Sequence, residues 1–339
     1  MQMEQKIFKY EGEFELENGE ILHSPEICYH ISGEVSPKKK VIWICHALTA
    51  NSNPQEWWPG LVGEGKLFDA RKHTIVCANM LGSCYGSSGP ASIAPDGKPF
   101  LLRFPDITVR DIVKAHNLLR LHLEIKEIFL MTGASIGGFQ ALEWSIMYPE
   151  NIKNLFLIAC NAQVSPWGTA FNESQRMALL ADDSFMEQQG TDGGKSGLEA
   201  ARSIALLSYR SYQGYNHTQQ EEPKEQLFAS KACSYQQYQG KKLADRFDAY
   251  SYYKLTKCID SHNCGRGRSG ISCALGSIKA STVVTGIGSD LLFPVQEQKQ
   301  MANHIPGAIY EEINSIYGHD GFLLEYEQTE KIVKKHFKL

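Results

Sequence analysis

The chain has no long uninterrupted apolar run, so no segment reads as a helix able to cross a bilayer. Its opening, Met1 to Gly19, alternates charged and apolar side chains and lacks the basic flank and apolar stretch of a secretory signal. Nor is one sign of charge in surplus. Lys and Arg number 34 against 38 Asp and Glu, a formal net charge of -4 spread along the chain. No broad positive field is therefore offered to nucleic acid or to an anionic membrane, and neither is expected as a partner. The nine cysteines contain no C-x-x-C pair, and Cys258, His262 and Cys264 do not complete a ligand set, so no disulfide framework and no metal site is expected. Reduced thiols in a cytoplasmic protein follow as the reading.

What is present suits a large α/β core: 339 residues, 42% of them hydrophobic. Lys6 to Val35 alternates in strand fashion around Glu-Asn-Gly and predicts an antiparallel start at the sheet's edge. Val41–Cys45 is continuously apolar, as a strand covered on both faces must be. Similar buried-strand runs recur at His73–Asn79, Ile128–Thr132 and Leu155–Ala159, and the strand signal returns at Ser281–Ile287 and Ala308–Ile313. Helical spacing separates them at Ile107–Leu123 and Gly137–Tyr148, and a terminal helix is expected from Gly321. Strand, helix, strand repeated in this way predicts a mostly parallel, doubly wound sheet. From Ser165 to Gly276 the pattern turns helical and polar, with Gly-rich breaks at 190–197 and 265–270. The predicted division is thus a core of residues 1–164 and 277–339 with a helical cap, 165–276, inserted in it.

The sharpest chemical signal is Gly133-Ala134-Ser135-Ile136-Gly137, directly after one predicted strand and before a helix. A Gly-x-Ser-x-Gly turn in that context holds a serine hydroxyl out at the carboxyl end of the sheet. Such a turn also serves to cap a helix or bind phosphate, so its context matters. A serine needs a base to take its proton, and the base needs an acid to hold its tautomer. In chain order the acid should come next, then the histidine. Asp290 lies in Gly288-Ser289-Asp290, just past a strand end, and is preferred to Asp260 and Asp320. His319, in Gly318-His319-Asp320-Gly321 after the last strand, is preferred to His46, His73 and His304. A tetrahedral intermediate would need two backbone N–H donors, for which Ile136 and Leu48, with Thr49 next, are the candidates.

These residues stand inside longer strings: HALTA from His46, NMLGSCYGSSGP from Asn79, GASIGGFQALEW from Gly133, AFNESQR from Ala170, GLEAAR from Gly197, RFDAYSY from Arg246, SDLLFP from Ser289 and GHDGFLLE from Gly318. On them the chain resembles the homoserine O-acetyltransferase family, the acyl-transferring branch of the α/β-hydrolase fold. The resemblance implies a ping-pong reaction in methionine biosynthesis. Ser135 takes an acetyl group from acetyl-CoA, and the hydroxyl of L-homoserine then accepts it with His319 as base. It implies Arg202 as a clamp for the homoserine carboxylate, with Tyr209 beside it and Asp320 facing the ammonium. It implies no bound cofactor, acetyl-CoA being a substrate, and a homodimer formed through the cap. Tyr250 departs from the family pattern, which has Asn there; Ala134, Ile136 and Phe139 depart conservatively. A succinyl donor, a serine acceptor, or hydrolysis by water on the same scaffold remain open. Arg266 and Arg268 read as a solvated basic loop more readily than as a phosphate site.

Overall fold

A computed structural model describes residues 3–221, 227–228 and 230–339. Among the described residues ten strands occur, in chain order: β1 (Glu4–Lys9), β2 (Glu13–Glu15), β3 (Ile21–His23), β4 (Glu26–Ile31), β5 (Lys40–Cys45), β6 (His73–Ala78), β7 (Ile128–Ala134), β8 (Ile152–Ile158), β9 (Ser281–Ile287) and β10 (Ile309–Ile313). Eight of them form one sheet in the order β1-β4-β6-β5-β7-β8-β9-β10. β1 pairs antiparallel with β4, and β4 antiparallel with β6; from β6 to β10 every pairing is parallel. The expected antiparallel edge is therefore present, with β1 outermost. β2 and β3 do not join it but make a separate hairpin.

The apolar runs became the central strands because helices cover both of their faces. Ile42, Trp43, Ile44, Leu130, Met131, Leu155 and Phe156 are each 0% exposed, so no polar face is needed. On one face lie Val109–His122 and Ile136–Met147. The first begins with a capping box, in which Thr108 and Asp111 satisfy each other's backbone N–H groups. The second is buried through Ile146, as a helix enclosed on all sides must be.

Parallel pairing puts the carboxyl ends of β5, β7, β9 and β10 on one rim. The last register pairs, Cys45 with Gly133 and Ile287 with Ile313, show those ends level with each other. Between β8 and β9 the helices Pro166–Leu180, Asp183–Glu187, Lys195–Tyr209, Tyr212–Gln219, Lys231–Ala244, Ala249–Asp260 and Ile271–Gly276 form an insertion, with no strand among its described residues. None of the helices among the described residues is long and apolar enough to cross a membrane.

Two boundaries differ from the sequence reading. The first Gly-rich break ends earlier: Gly194 caps a helix running from Lys195, and Gly197 sits inside it against the backbone of Leu179, where a Cβ would come within 2.9 Å. The terminal helix does not run from Gly321. A short turn, Gly321–Leu324, stops at Glu325, and the long helix is Tyr326–His336. The chain leaves helical geometry at Glu325 (φ -88°, ψ 57°), and beside that break the Phe322 carbonyl accepts from Trp58 Nε1 at 2.8 Å.

Candidate active site

β7 ends at Ala134, and the helix after it starts at Ile136, so Ser135 must turn the chain alone. It does so at φ 58°, ψ -129°, a conformation costly for a residue with a side chain. The turn is possible because its neighbours lack bulk. A Cβ on Gly133 would overlap the Gly137 carbonyl, one on Gly137 the Cys45 carbonyl, and one on Gly138 the Cys160 side chain. The three glycines are thus fixed by close approach, and the serine is left projecting at the rim.

Asp290 follows β9, where the carboxylate is held by the backbone. Its Oδ1 accepts from the N–H groups of Leu292 (2.8 Å) and Phe293 (3.0 Å), which leaves Oδ2 for His319 Nδ1 at 2.7 Å. The two loops that carry them are joined by Ser289, whose hydroxyl donates to Ser315 O at 2.6 Å and accepts from Gly318 N–H at 3.0 Å. Gly318 has φ 65°, and a Cβ there would come within 2.8 Å of Ser211 N, so it allows both the turn and the passing chain. The His319 ring is 3% exposed and enclosed by the rings of Phe293 (5.2 Å), Phe322 (5.4 Å) and Tyr209 (5.7 Å).

Burial acts most strongly on His319 and favours the neutral ring. The Asp290 charge, its hydrogen bond and the Asp320 charge together outweigh burial, so the pKa lies above 6.5. His46 shows the opposite case. It is fully buried, with a carbonyl rather than a carboxylate for its partner, and its pKa falls to about 4. Its Nδ1 lies 2.9 Å from Ala47 O and its Nε2 accepts from Met80 N–H at 3.1 Å, so it is neutral with the proton on Nδ1. That proton serves the neighbouring turn. The carbonyl of Ala47 and the N–H of Leu48 belong to one planar peptide and point opposite ways. Held by His46 and by Ala50 N–H at 3.0 Å, the Ala47 carbonyl fixes the direction of the Leu48 N–H. Neither this N–H nor that of Ile136 has an acceptor among the described residues.

A cavity of about 500 Å³ opens where these elements meet, lined by Leu48, Ser135 and His319 from the rim and by Arg202, Tyr209 and Arg246 from the insertion. Asp320, Tyr85, Trp57 and Phe322 line it as well. Arg202 stands 5.4 Å over the Tyr209 ring and has no ion pair or hydrogen bond among the described residues. Asp320 is paired: its Oδ2 lies 3.0 Å from Arg210 Nε, though not along the N–H direction. Arg210, Arg246, Tyr85 and Trp57 carry no role in the sequence reading. Tyr85 and Arg246 stand in two of the quoted strings, which was the one signal that could have found them.

Other candidates fall elsewhere. His73 begins β6, His304 ends an exposed helix turn, and Asp260 pairs with Arg176 at 2.7 Å. Tyr250 does not line the cavity: its ring stacks on Phe185 at 4.7 Å and its hydroxyl donates to Phe185 O at 3.0 Å. The loop of Arg266 and Arg268 is not simply solvated. Arg268 reaches the buried Glu143 on the Ser135 helix at 2.7 Å, and Arg266 reaches Glu17 at 2.8 Å. Arg110 joins the same network, within 2.9 Å of Glu17 and 3.4 Å of Glu143.

A serine on a strained turn between strand and helix, with an Asp–His pair at the ends of later parallel strands, defines a protein of the α/β-hydrolase fold. That fold family matches residues 40–326. Within it the chain belongs to the family of the homoserine O-acetyltransferases. It is similar to the homoserine O-acetyltransferase of Cyclobacterium marinum, 45% identical across 99% of this chain and 96% of that one. Among solved structures it resembles homoserine O-acetyltransferase from Bacillus anthracis, with a TM-score of 0.91 at 22% identity over 99% of this chain and 98% of that chain. Esterase E22 is similar in shape too, with a TM-score of 0.90 at 20% identity over 99% and 100% of the two chains. Both likenesses speak for the fold alone.

Proposed function

We propose that the protein transfers an acetyl group from acetyl-CoA to the hydroxyl of L-homoserine through an acyl-serine intermediate, a step of methionine biosynthesis in the cytoplasm. Ser135 Oγ attacks the thioester carbonyl while His319 Nε2 takes the hydroxyl proton, and Asp290 stabilises the resulting imidazolium. The oxyanion is met by the N–H groups of Leu48 and Ile136. Collapse breaks the carbon–sulfur bond, and the thiolate of CoA leaves with the proton from His319. Homoserine then attacks the acyl-serine ester with His319 as base, and the mirrored collapse frees Ser135.

The single observation that carries this reading, against hydrolysis, is Arg202. A guanidinium without an anionic partner, facing the same cavity as the nucleophile, asks for a carboxylate, which an amino-acid acceptor supplies and water does not. Tyr209 positions that guanidinium by its ring face, and the carboxylate of Asp320 has a second oxygen left for the acceptor's ammonium. Six buried cysteines, Cys28, Cys45, Cys77, Cys160, Cys258 and Cys264, each a single thiol, suit a reducing compartment.

The test is thiol release from acetyl-CoA, with and without L-homoserine, beside succinyl-CoA and L-serine. The expected result is slow release that homoserine accelerates, with O-acetylhomoserine as product and acetyl preferred to succinyl. Equal release without an acceptor would replace transfer by hydrolysis, and a Ser135→Ala variant that still turns over would remove the acyl-serine step.

A further inference from the structure

The Leu48 N–H is connected to the helical insertion through two peptide units. Arg246, just past the helix Lys231–Ala244, donates from Nη1 to the Thr49 carbonyl at 2.6 Å. Thr49 C=O and Ala50 N–H belong to one peptide, and that N–H donates to Ala47 O at 3.0 Å. Ala47 C=O and Leu48 N–H belong to the next. A charged donor on the first carbonyl therefore fixes and polarises, in turn, each later donor in the chain, because hydrogen bonds in series strengthen one another. Arg246 is itself held. The same Nη1 reaches Tyr85 OH at 2.6 Å, and the Tyr85 ring meets Phe247 edge-on at 5.6 Å.

We propose that Arg246 is a positioning residue for the oxyanion donor, a latch by which the insertion must be seated on the turn 47–50 before the Leu48 N–H points into the cavity. The inference rests on the acyl-serine reading above. It also gives the insertion a reason to act as one piece. The helix Lys195–Tyr209, which carries Arg202, packs closely on the helix leading to Arg246: a Cβ on Gly240 would lie 2.7 Å from Glu199 O. An acceptor bound at Arg202 and an oxyanion donor held through Arg246 are thereby set by the same pair of helices.

The experiment measures Ser135 acylation by rapid mixing, with acetyl-CoA and with 4-nitrophenyl acetate, in Arg246→Ala, Arg246→Lys and Tyr85→Phe. Deleting an oxyanion donor outright costs about 100- to 1,000-fold, so loosening one is expected to slow acylation about 10-fold or more with both donors. The homoserine KM should stay within about twofold. Arg246→Lys and added guanidinium ion should each restore part of the rate, and Tyr85→Phe should lose less, in the same direction. Acylation of Arg246→Ala within about twofold of the parent would overturn the proposal. So would a loss confined to acetyl-CoA, which would make Arg246 a contact for the donor's phosphates. Should Ser135→Ala still acylate in the same assay, it is the acyl-serine reading that fails. Tyr85→Phe keeps the test open if Arg246→Ala does not fold, since it removes only one hydroxyl.

Discussion

The rim of the sheet and the helical insertion face one cavity but hold their polar groups by different means. On the rim, backbone does most of the holding: two N–H groups fix Asp290 and a strained turn fixes Ser135, while the peptide that carries the Leu48 N–H is held by the Ala50 N–H together with the His46 ring. On the insertion, charged groups rest on side chains, as Arg202 does on the Tyr209 ring and Arg210 does beside Asp320. Backbone placement is stiff and independent of any ligand, which suits groups that must meet a fleeting transition state. Side-chain placement leaves a charge free to take up a ligand of opposite sign. Substitutions on the rim should accordingly lower rates, and so should those at Arg246, which acts through the rim turn it holds. Substitutions at Arg202, which faces the cavity without an ionic partner among the described residues, should weaken binding.

The largest effect should come from the rim. Asp290→Asn keeps the shape but forces the wrong tautomer on His319, and the acylation rate should fall about 10,000-fold. The pH profile gives a sharper result. A base works only when neutral, so the rate rises with pH through the His319 pKa, which lies above 6.5 while burial is outweighed by Asp290 and Asp320. With the Asp290 charge gone, burial prevails and the limb should move to lower pH. A limb that stays or rises in Asp290→Asn would show that something else holds the imidazolium. The same raised value stabilises the folded state fully below pH 6.5, and that contribution is lost as pH rises through the folded pKa.

The sequence shows the two regions with unequal clarity, for physical reasons. Strands buried on both faces write themselves as apolar runs, so β5 to β9 can be read without knowing what covers them. Ser135 and Asp290 can be placed because each follows the end of such a strand. His319 follows β10, a half-exposed edge strand, and is placed by chain order and its glycine-flanked loop, parallel strands bringing all three ends to one rim. Arg246 and Thr49 meet across 197 positions, and no periodicity foretells a contact of that kind. The same holds for Arg210 beside Asp320 and for Arg268 on Glu143. The break at Glu325 was hidden because one residue's departure from helical ψ interrupts a segment whose composition continues to suit a helix.

On the insertion, Arg202→Lys is the substitution that sharpens the contrast. The ammonium keeps the charge but loses the planar fork and its seat over Tyr209. The homoserine KM should rise about 10-fold, equivalent to about 1.4 kcal/mol, with acylation by 4-nitrophenyl acetate within about twofold of the parent. An unchanged KM would take Arg202 out of the acceptor site. A matching loss in acylation would mean that the insertion takes part in the chemistry directly.

The smallest effect should appear at Tyr250, where the family pattern has asparagine but the ring lies away from the cavity, packed on Phe185. Tyr250→Phe keeps the stack and removes one hydrogen bond to the Phe185 carbonyl. A loss of about 1 kcal/mol of stability is expected, read as a fall of about 2 °C in Tm. The ratio of acetyl-CoA to succinyl-CoA turnover should not change, since this hydroxyl lies outside the cavity. A changed ratio would mean that the packing inside the insertion sets the acyl pocket, and the division between a rim that reacts and an insertion that binds would have to be redrawn at the Phe185 stack.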